Sequence, residues 1–122
     1  MERKKTIYIS GPITGVPKYY EAFEAMEDEL SALGYIPLSP ARLPTGMTAE
    51  QYMRICFAMI DSADAVVFLD SNYYSKGVCL EKAYCEYISK PIVCQRSASL
   101  EGSNPHSIMV AWLKHDLEEV LG

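Results

Sequence analysis

The chain has 122 residues, 49% hydrophobic and 22% charged, with a formal net charge of −5. That length fits one domain, here residues 1–122, which hides roughly two-thirds of its unfolded surface, and the composition excludes collagenous and disordered classes. The acidic balance argues against a nucleic-acid polymer as partner, and no apolar run approaches the roughly 18 residues of a membrane span. The basic Arg3-Lys4-Lys5 run is followed by no signal-like apolar region, so a cytoplasmic location is expected.

In chain order, Thr6 to Ser10 is a β-rich run stopped by Gly11-Pro12. Tyr19, Phe23, Met26, Leu30 and Leu33 then recur at steps of three and four, which predicts a helix closed by Gly34. Tyr35 to Leu38 is a second short strand, and Pro37 suits an edge position. Residues 39–47 form a loop. Thr48 and Gln51 have the spacing of a capping box, and Tyr52, Ile55, Met59 and Ile60 continue a helix from it. Ala65 to Leu69 is apolar without alternation, as a central parallel strand covered on both faces would be. A polar turn from Asp70 to Lys76 leads to a helix whose apolar face reads as Leu80, Ala83, Tyr84, Tyr87 and Ile88. Pro91 to Cys94 is a fourth strand, and Met109, Leu113, Leu117 and Val120 mark a last helix.

Strands alternating with helices predict an α/β fold, an open parallel sheet of Rossmann-like or flavodoxin-like type with helices on both faces. Ligands of such sheets bind beyond the carboxyl ends of the strands. Gly11 to Gly15, Asp70 to Gly77 and the loop after Cys94 are therefore expected to converge on one crevice. Cys56, Cys79, Cys85 and Cys94 show no C-x-x-C spacing and no histidine partners at ligand spacing, which favours buried reduced thiols over a disulfide or zinc site.

Three segments could carry chemistry. Tyr8-Ile9-Ser10-Gly11-Pro12-Ile13-Thr14-Gly15 lets a ligand approach the backbone and offers the Tyr8 hydroxyl near the rim; it also reads as a plain tight turn with a core tyrosine. Ser75-Lys76-Gly77-Val78-Cys79-Leu80-Glu81 opens a helix, where free N–H groups and the dipole favour an anion. Ser75 is a cap or a phosphate ligand there, and Glu81 a carboxylate beside the crevice. Pro105 to Met109 opens the last helix, with Ser107 as cap or phosphate contact. His106 and His115 share no metal-ligand spacing.

Taken together, "YISGPITG", "SKGVCLEKAYCEYISKPI" and Ser107 resemble the nucleoside 2-deoxyribosyltransferase-like superfamily, nearest its 2′-deoxynucleoside 5′-monophosphate N-glycosidase branch. The similarity runs from about Ile7 to Leu113. It implies that Glu81 attacks the anomeric carbon or stabilises its cationic transition state, and that Tyr8 orients the glutamate and the sugar. It further implies that Ser75 and Ser107 hold the 5′-phosphate, Ser107 reaching in from a neighbouring subunit. The nucleoside transferases place an aspartate where Ser75 stands, so this chain departs toward a phosphorylated ligand. It departs again at Cys56, where the active branches have the aspartate that assists the departing base. Asp61 and Asp70 are the carboxylates that could replace it, and Asp70, at the strand end, is the better placed.

The expected activity is cleavage or transfer at the N-glycosidic bond of a nucleoside 5′-monophosphate. Glu81, Tyr8 and Asp70 would be catalytic, and Gly11, Pro12, Ile13, Ser75, Gly77 and Ser107 would bind substrate. No metal or redox cofactor is implied, and a homo-oligomer, a dimer or dimer of dimers, is expected. Two other classes compete. One is a nucleotide-binding or regulatory module that kept the pocket and lost the acid at Cys56. The other is a flavodoxin-like electron carrier, disfavoured because the first loop lacks a Ser/Thr-rich phosphate cradle.

Overall fold

The computed structural model describes residues 3–96 and 105–122, and for residues 105–110 the backbone alone. The elements are β1 (Thr6–Ser10), α1 (Tyr19–Ala32), β2 (Ile36–Leu38), α2 (Ala49–Ser62), β3 (Ala65–Phe68), α3 (Lys76–Tyr87), β4 (Ile92–Cys94) and α4 (Pro105–Leu121). A single 3₁₀ turn at Pro40–Arg42 interrupts the loop between β2 and α2. All strand pairs are parallel, in the order β2-β1-β3-β4. This is the open parallel α/β sheet that the alternation of patterns predicts. The chain reverses its direction of winding between β1 and β3, which opens a crevice at their carboxyl ends.

The pleat of β1 divides the molecule. Ile7 and Ile9 point to the face covered by α1 and α4, where they meet Phe23, Met26, Leu30, Leu113 and Leu117. Tyr8 points to the opposite face, against Cys56 and Ile60 of α2 and Cys85 of α3. Helices thus cover both faces. Each large apolar side chain buried here contributes about 1.5–3 kcal/mol relative to leaving it exposed.

Local signals fix the helix ends. Gly34 takes φ 92, a left-handed conformation that suits glycine, and its N–H donates to Ser31 O at 3.0 Å. The Thr48–Gln51 capping box forms in full, at 3.1 and 2.9 Å. Arg42 ties the 3₁₀ turn to the buried Glu27 of α1 at 2.6 Å.

The amino ends of the strands have their own clasp. The Asp64 carboxylate accepts from the Thr6 N–H at 2.8 Å and from Arg3 at 2.8 Å, and these bonds hold its pKa below the usual carboxylate range. Lys90 donates to Ala63 O at 2.6 Å. Asp61 lies at this end, at the last turn of α2, and accepts from the Tyr84 hydroxyl at 2.6 Å. It is therefore at the opposite end of the sheet from the crevice.

Two expectations change. The inward positions of α3 are Glu81 and Cys85, with Val78 and Tyr84 partly buried, whereas Leu80, Tyr87 and Ile88 are exposed. The cysteines also divide: Cys56 and Cys85 are buried thiols, while Cys79 and Cys94 are exposed. Among the described residues no helix is long and apolar enough to cross a membrane.

Candidate active site

β1 and α3 build the centre of the site. Because Tyr8 and Ser10 are two apart on one strand, both point to the face covered by α3. Glu81 comes down from that helix to meet them. The Tyr8 hydroxyl donates to Glu81 Oε1, and the Ser10 hydroxyl donates to Glu81 Oε2 at 3.1 Å. Each carboxylate oxygen thus has its own hydroxyl donor.

All three groups are withdrawn from solvent: Tyr8 and Ser10 are 0% exposed and Glu81 is 5% exposed. Tyr8 is therefore a core residue rather than a rim residue. Burial pushes the Glu81 pKa up, and the hydrogen bonds from Tyr8 and Ser10 act against that rise. Glu81 is the sixth residue of α3, beyond the first turn over which a helix dipole acts strongly. Its charge is held by the two hydroxyls rather than by the helix end. Burial, and next the negative charge of Glu81, drive the Tyr8 phenol far above its ordinary pKa, so this tyrosine is a donor throughout the physiological range.

Two thiols complete the surroundings. Cys56 of α2 interacts with the Tyr8 hydroxyl, and burial raises its pKa. Cys85, one turn beyond Glu81, is pushed up to about 11 by burial and by the Glu81 charge. Both are protonated at neutral pH and behave as small apolar groups.

The carboxyl ends of β1 and β3 frame this cluster. Ser75 is the N-cap of α3, and its Oγ accepts from the Val78 N–H at 3.2 Å, so the capping role is realised. Gly77, in the first turn, faces α2: a Cβ placed on it would stand 3.7 Å from Met53 Sδ. The first turn of α3 therefore approaches α2 at Met53. Gly11 is enclosed more tightly, for an added Cβ would lie 2.7 Å from Leu69 Cδ1 and 3.1 Å from Phe23 Cζ. Ile13 packs partly buried against the α1 side of the core. Pro12 and Asp70 line a cavity of about 60 Å³ with Tyr19, Phe23, Leu69 and Ser71. That cavity is on the α1 side of the sheet, whereas Glu81 is on the α3 side. Asp70 is exposed, and its N–H donates to the Gln95 side chain at 2.7 Å. The Ser107 backbone belongs to the first turn of α4, but its side chain and that of His106 lie outside the described residues.

Ser10 is the site residue that the motif reading passed over. Its signal was present: a polar residue two positions from Tyr8 on a strand shares its face. A larger cavity of about 430 Å³ lies apart, between β4 and α4, where Asp116 pairs with Arg96 at 3.0 Å. His115 Nε2 lies 3.4 Å from Glu119 on the same exposed stretch of α4.

Chemically, the cluster offers a carboxylate of fixed orientation, weakly screened because it is buried. Such a group can stabilise a cation or attack an electrophilic carbon.

Solved structures share this architecture. The 2-desoxiribosyltransferase from Leishmania mexicana superposes with a TM-score of 0.61 at 26% identity, over 74% of this chain and 63% of that one. The chain thus spans just under two-thirds of that enzyme. The 2-deoxyribosyltransferase from Bacillus psychrosaccharolyticus gives 0.59 at 20% identity, over 73% and 70%. A conserved protein from Enterococcus faecalis V583 gives 0.59 at 15% identity, over 98% of both chains. The fold is that of the 2-deoxyribosyltransferases. No curated protein sequence matches the chain. Residues 5–94 match the family described as "Domain of unknown function (DUF4406)", and the chain belongs to that family.

Proposed function

We propose that the protein cleaves or transfers at the N-glycosidic bond of a nucleoside 5′-monophosphate, with Glu81 acting at the sugar C1′. The observation that carries this reading is the buried Glu81 carboxylate, with a hydroxyl on each oxygen, in a deoxyribosyltransferase fold. As the C1′–N bond breaks, its electron pair leaves with the base and C1′ becomes oxocarbenium-like. The Glu81 charge stabilises that centre or bonds to it; water or an acceptor then forms the new bond to C1′ and gives up a proton, balancing the proton that the departing base takes up. Tyr8 keeps the carboxylate aimed. Asp70 serves the crevice from its rim.

The phosphate preference rests on Ser75 at the start of α3 and Ser107 at the start of α4, with the Gly11-Pro12-Ile13 turn and Gly77 against the ligand. A serine at position 75 adds no charge to repel a phosphate, whereas an aspartate would. The free thiols fit a reducing compartment such as the cytoplasm. The exposed apolar side of α3 supports a homo-oligomer.

Incubating the protein with a panel of nucleosides and their 5′-monophosphates tests the reading by chromatography of the released base. Release is expected from monophosphates in preference to nucleosides. Glu81→Gln is expected to lose at least ~10² in rate with little change in ligand affinity, since the charge is needed most in the transition state. A wild type that releases base from nothing in the panel overturns the reading.

One observation favours a second reading, a nucleotide-binding module without turnover. The α2 position expected to hold the acid is Cys56, and its thiol is engaged with Tyr8. Calorimetric binding of a monophosphate with no product formed would establish that alternative.

A further inference from the structure

Ser10 occupies a central strand position with no exposure. A buried hydroxyl is costly unless it has a partner, and here the partner is Glu81 Oε2, at 3.1 Å. The terminal torsion of a glutamate is broad and roughly two-fold. With the Tyr8 hydroxyl on Oε1 alone, the carboxylate could still swing about that oxygen. A second donor on Oε2 fixes the plane of the group.

We propose that Ser10 is a positioning residue for Glu81: its hydroxyl, with that of Tyr8, fixes the plane of the carboxylate at its buried station. The inference rests on the reading of Glu81 as the group that acts at C1′, but the hold of Ser10 on Glu81 can be measured without any substrate. Charged acceptors make stronger hydrogen bonds than neutral ones, so losing the Ser10 donor favours the protonated acid. The acid limb of an activity that needs the carboxylate then moves toward higher pH.

The test uses Ser10→Ala, which removes the hydroxyl without adding volume, and Ser10→Cys, which keeps the shape with a weaker donor. The first readout is the pH titration of the Glu81 side-chain carboxyl carbon by NMR, assigned by its loss in Glu81→Gln. The second is the pH profile of kcat and KM on whichever monophosphate the wild type cleaves. In Ser10→Ala the carboxyl carbon should titrate at higher pH than in the wild type, with Ser10→Cys between them. For the same variant kcat should fall about tenfold or more, while KM stays within about twofold. If Ser10→Ala does not fold, Ser10→Cys carries the same comparison.

A titration midpoint unmoved in both folded variants overturns the inference. So does a pH profile that keeps its acid limb while kcat is unchanged. A wild type without turnover, whose carboxyl midpoint is nevertheless moved by Ser10→Ala, sinks the glycosidic reading and leaves the hold of Ser10 on Glu81 supported.

Discussion

A carboxylate kept away from water makes the folded state sensitive to pH in a definite direction. Burial raises the Glu81 pKa in the native protein, so the native state binds a proton that the unfolded chain has already released. The stabilising contribution is then fully present below the unfolded glutamate value, about 4.3, and is lost as pH rises through the higher folded value. Glu81→Gln removes this loss. The variant should therefore gain in Tm relative to the wild type between pH 4 and pH 8, and a calorimetric difference that does not change with pH would count against the assignment. Cys56→Asp is the converse experiment. It places an acid where the proposed reaction would use one, but it sets a second carboxyl beside the Tyr8–Glu81 pair in a position only 7% exposed. The variant should lose about 2 kcal/mol or more at neutral pH, and less at pH 5 where the new acid is protonated. Denaturant titrations at the two pH values read this directly. Restored base release would show that the rest of the site is competent.

Among the elements, α1 and α3 show what a sequence pattern can and cannot reveal. The α1 face was legible because Phe23, Met26 and Leu30 are both apolar and inward. The α3 face departs from its apolar pattern because its inward positions hold Val78, Glu81 and Cys85, while Leu80, Tyr87 and Ile88 point outward. A carboxylate in a core position breaks the periodicity on which such reading depends. The same limit applies to Tyr8. Alternation along β1 assigns it a face, but depth below the crevice depends on which helices close over that face. Sequence also located Ser75 at the start of α3 without deciding its task, since a cap and a phosphate ligand use the same hydroxyl. Ser75→Ala should cost about 1 kcal/mol through loss of the Val78 N–H acceptor, measured by chemical denaturation. If Ser75 also binds phosphate, calorimetry should show a greater loss of affinity for monophosphates than for nucleosides. Equal losses would leave it a cap alone.

For the molecule as a whole, the outward side of α3 is the conspicuous surface. Leu80 is 46% exposed and Tyr87 88% exposed, with Ile88 beside them in sequence and Tyr73 and Tyr74 in the preceding loop. Apolar groups clustered on one helix mark interaction surfaces, and a two-fold axis lets one such patch bury itself against its own copy. The protein should run as a dimer or larger closed oligomer in light scattering at micromolar concentration. Leu80→Asp with Tyr87→Asp should shift it toward monomer while its far-UV circular dichroism is kept. A wild type that is strictly monomeric removes the argument.

The division of β1 between its two faces also has a kinetic consequence. Tyr8 and Glu81 are 73 residues apart, and β1 pairs with both β2 and β3. The carboxylate can meet its donors only after long-range pairing is complete, the slow kind of event in folding. A register slip of one residue would turn Ile7 and Ile9 toward α3 and carry Tyr8 and Ser10 to the α1 side. Such a chain could be compact and helical while having no site at all. During refolding from denaturant, recovery of the Glu81 carboxyl signal should therefore lag behind the recovery of helical circular dichroism. The site thereby serves as an internal clock for strand registration.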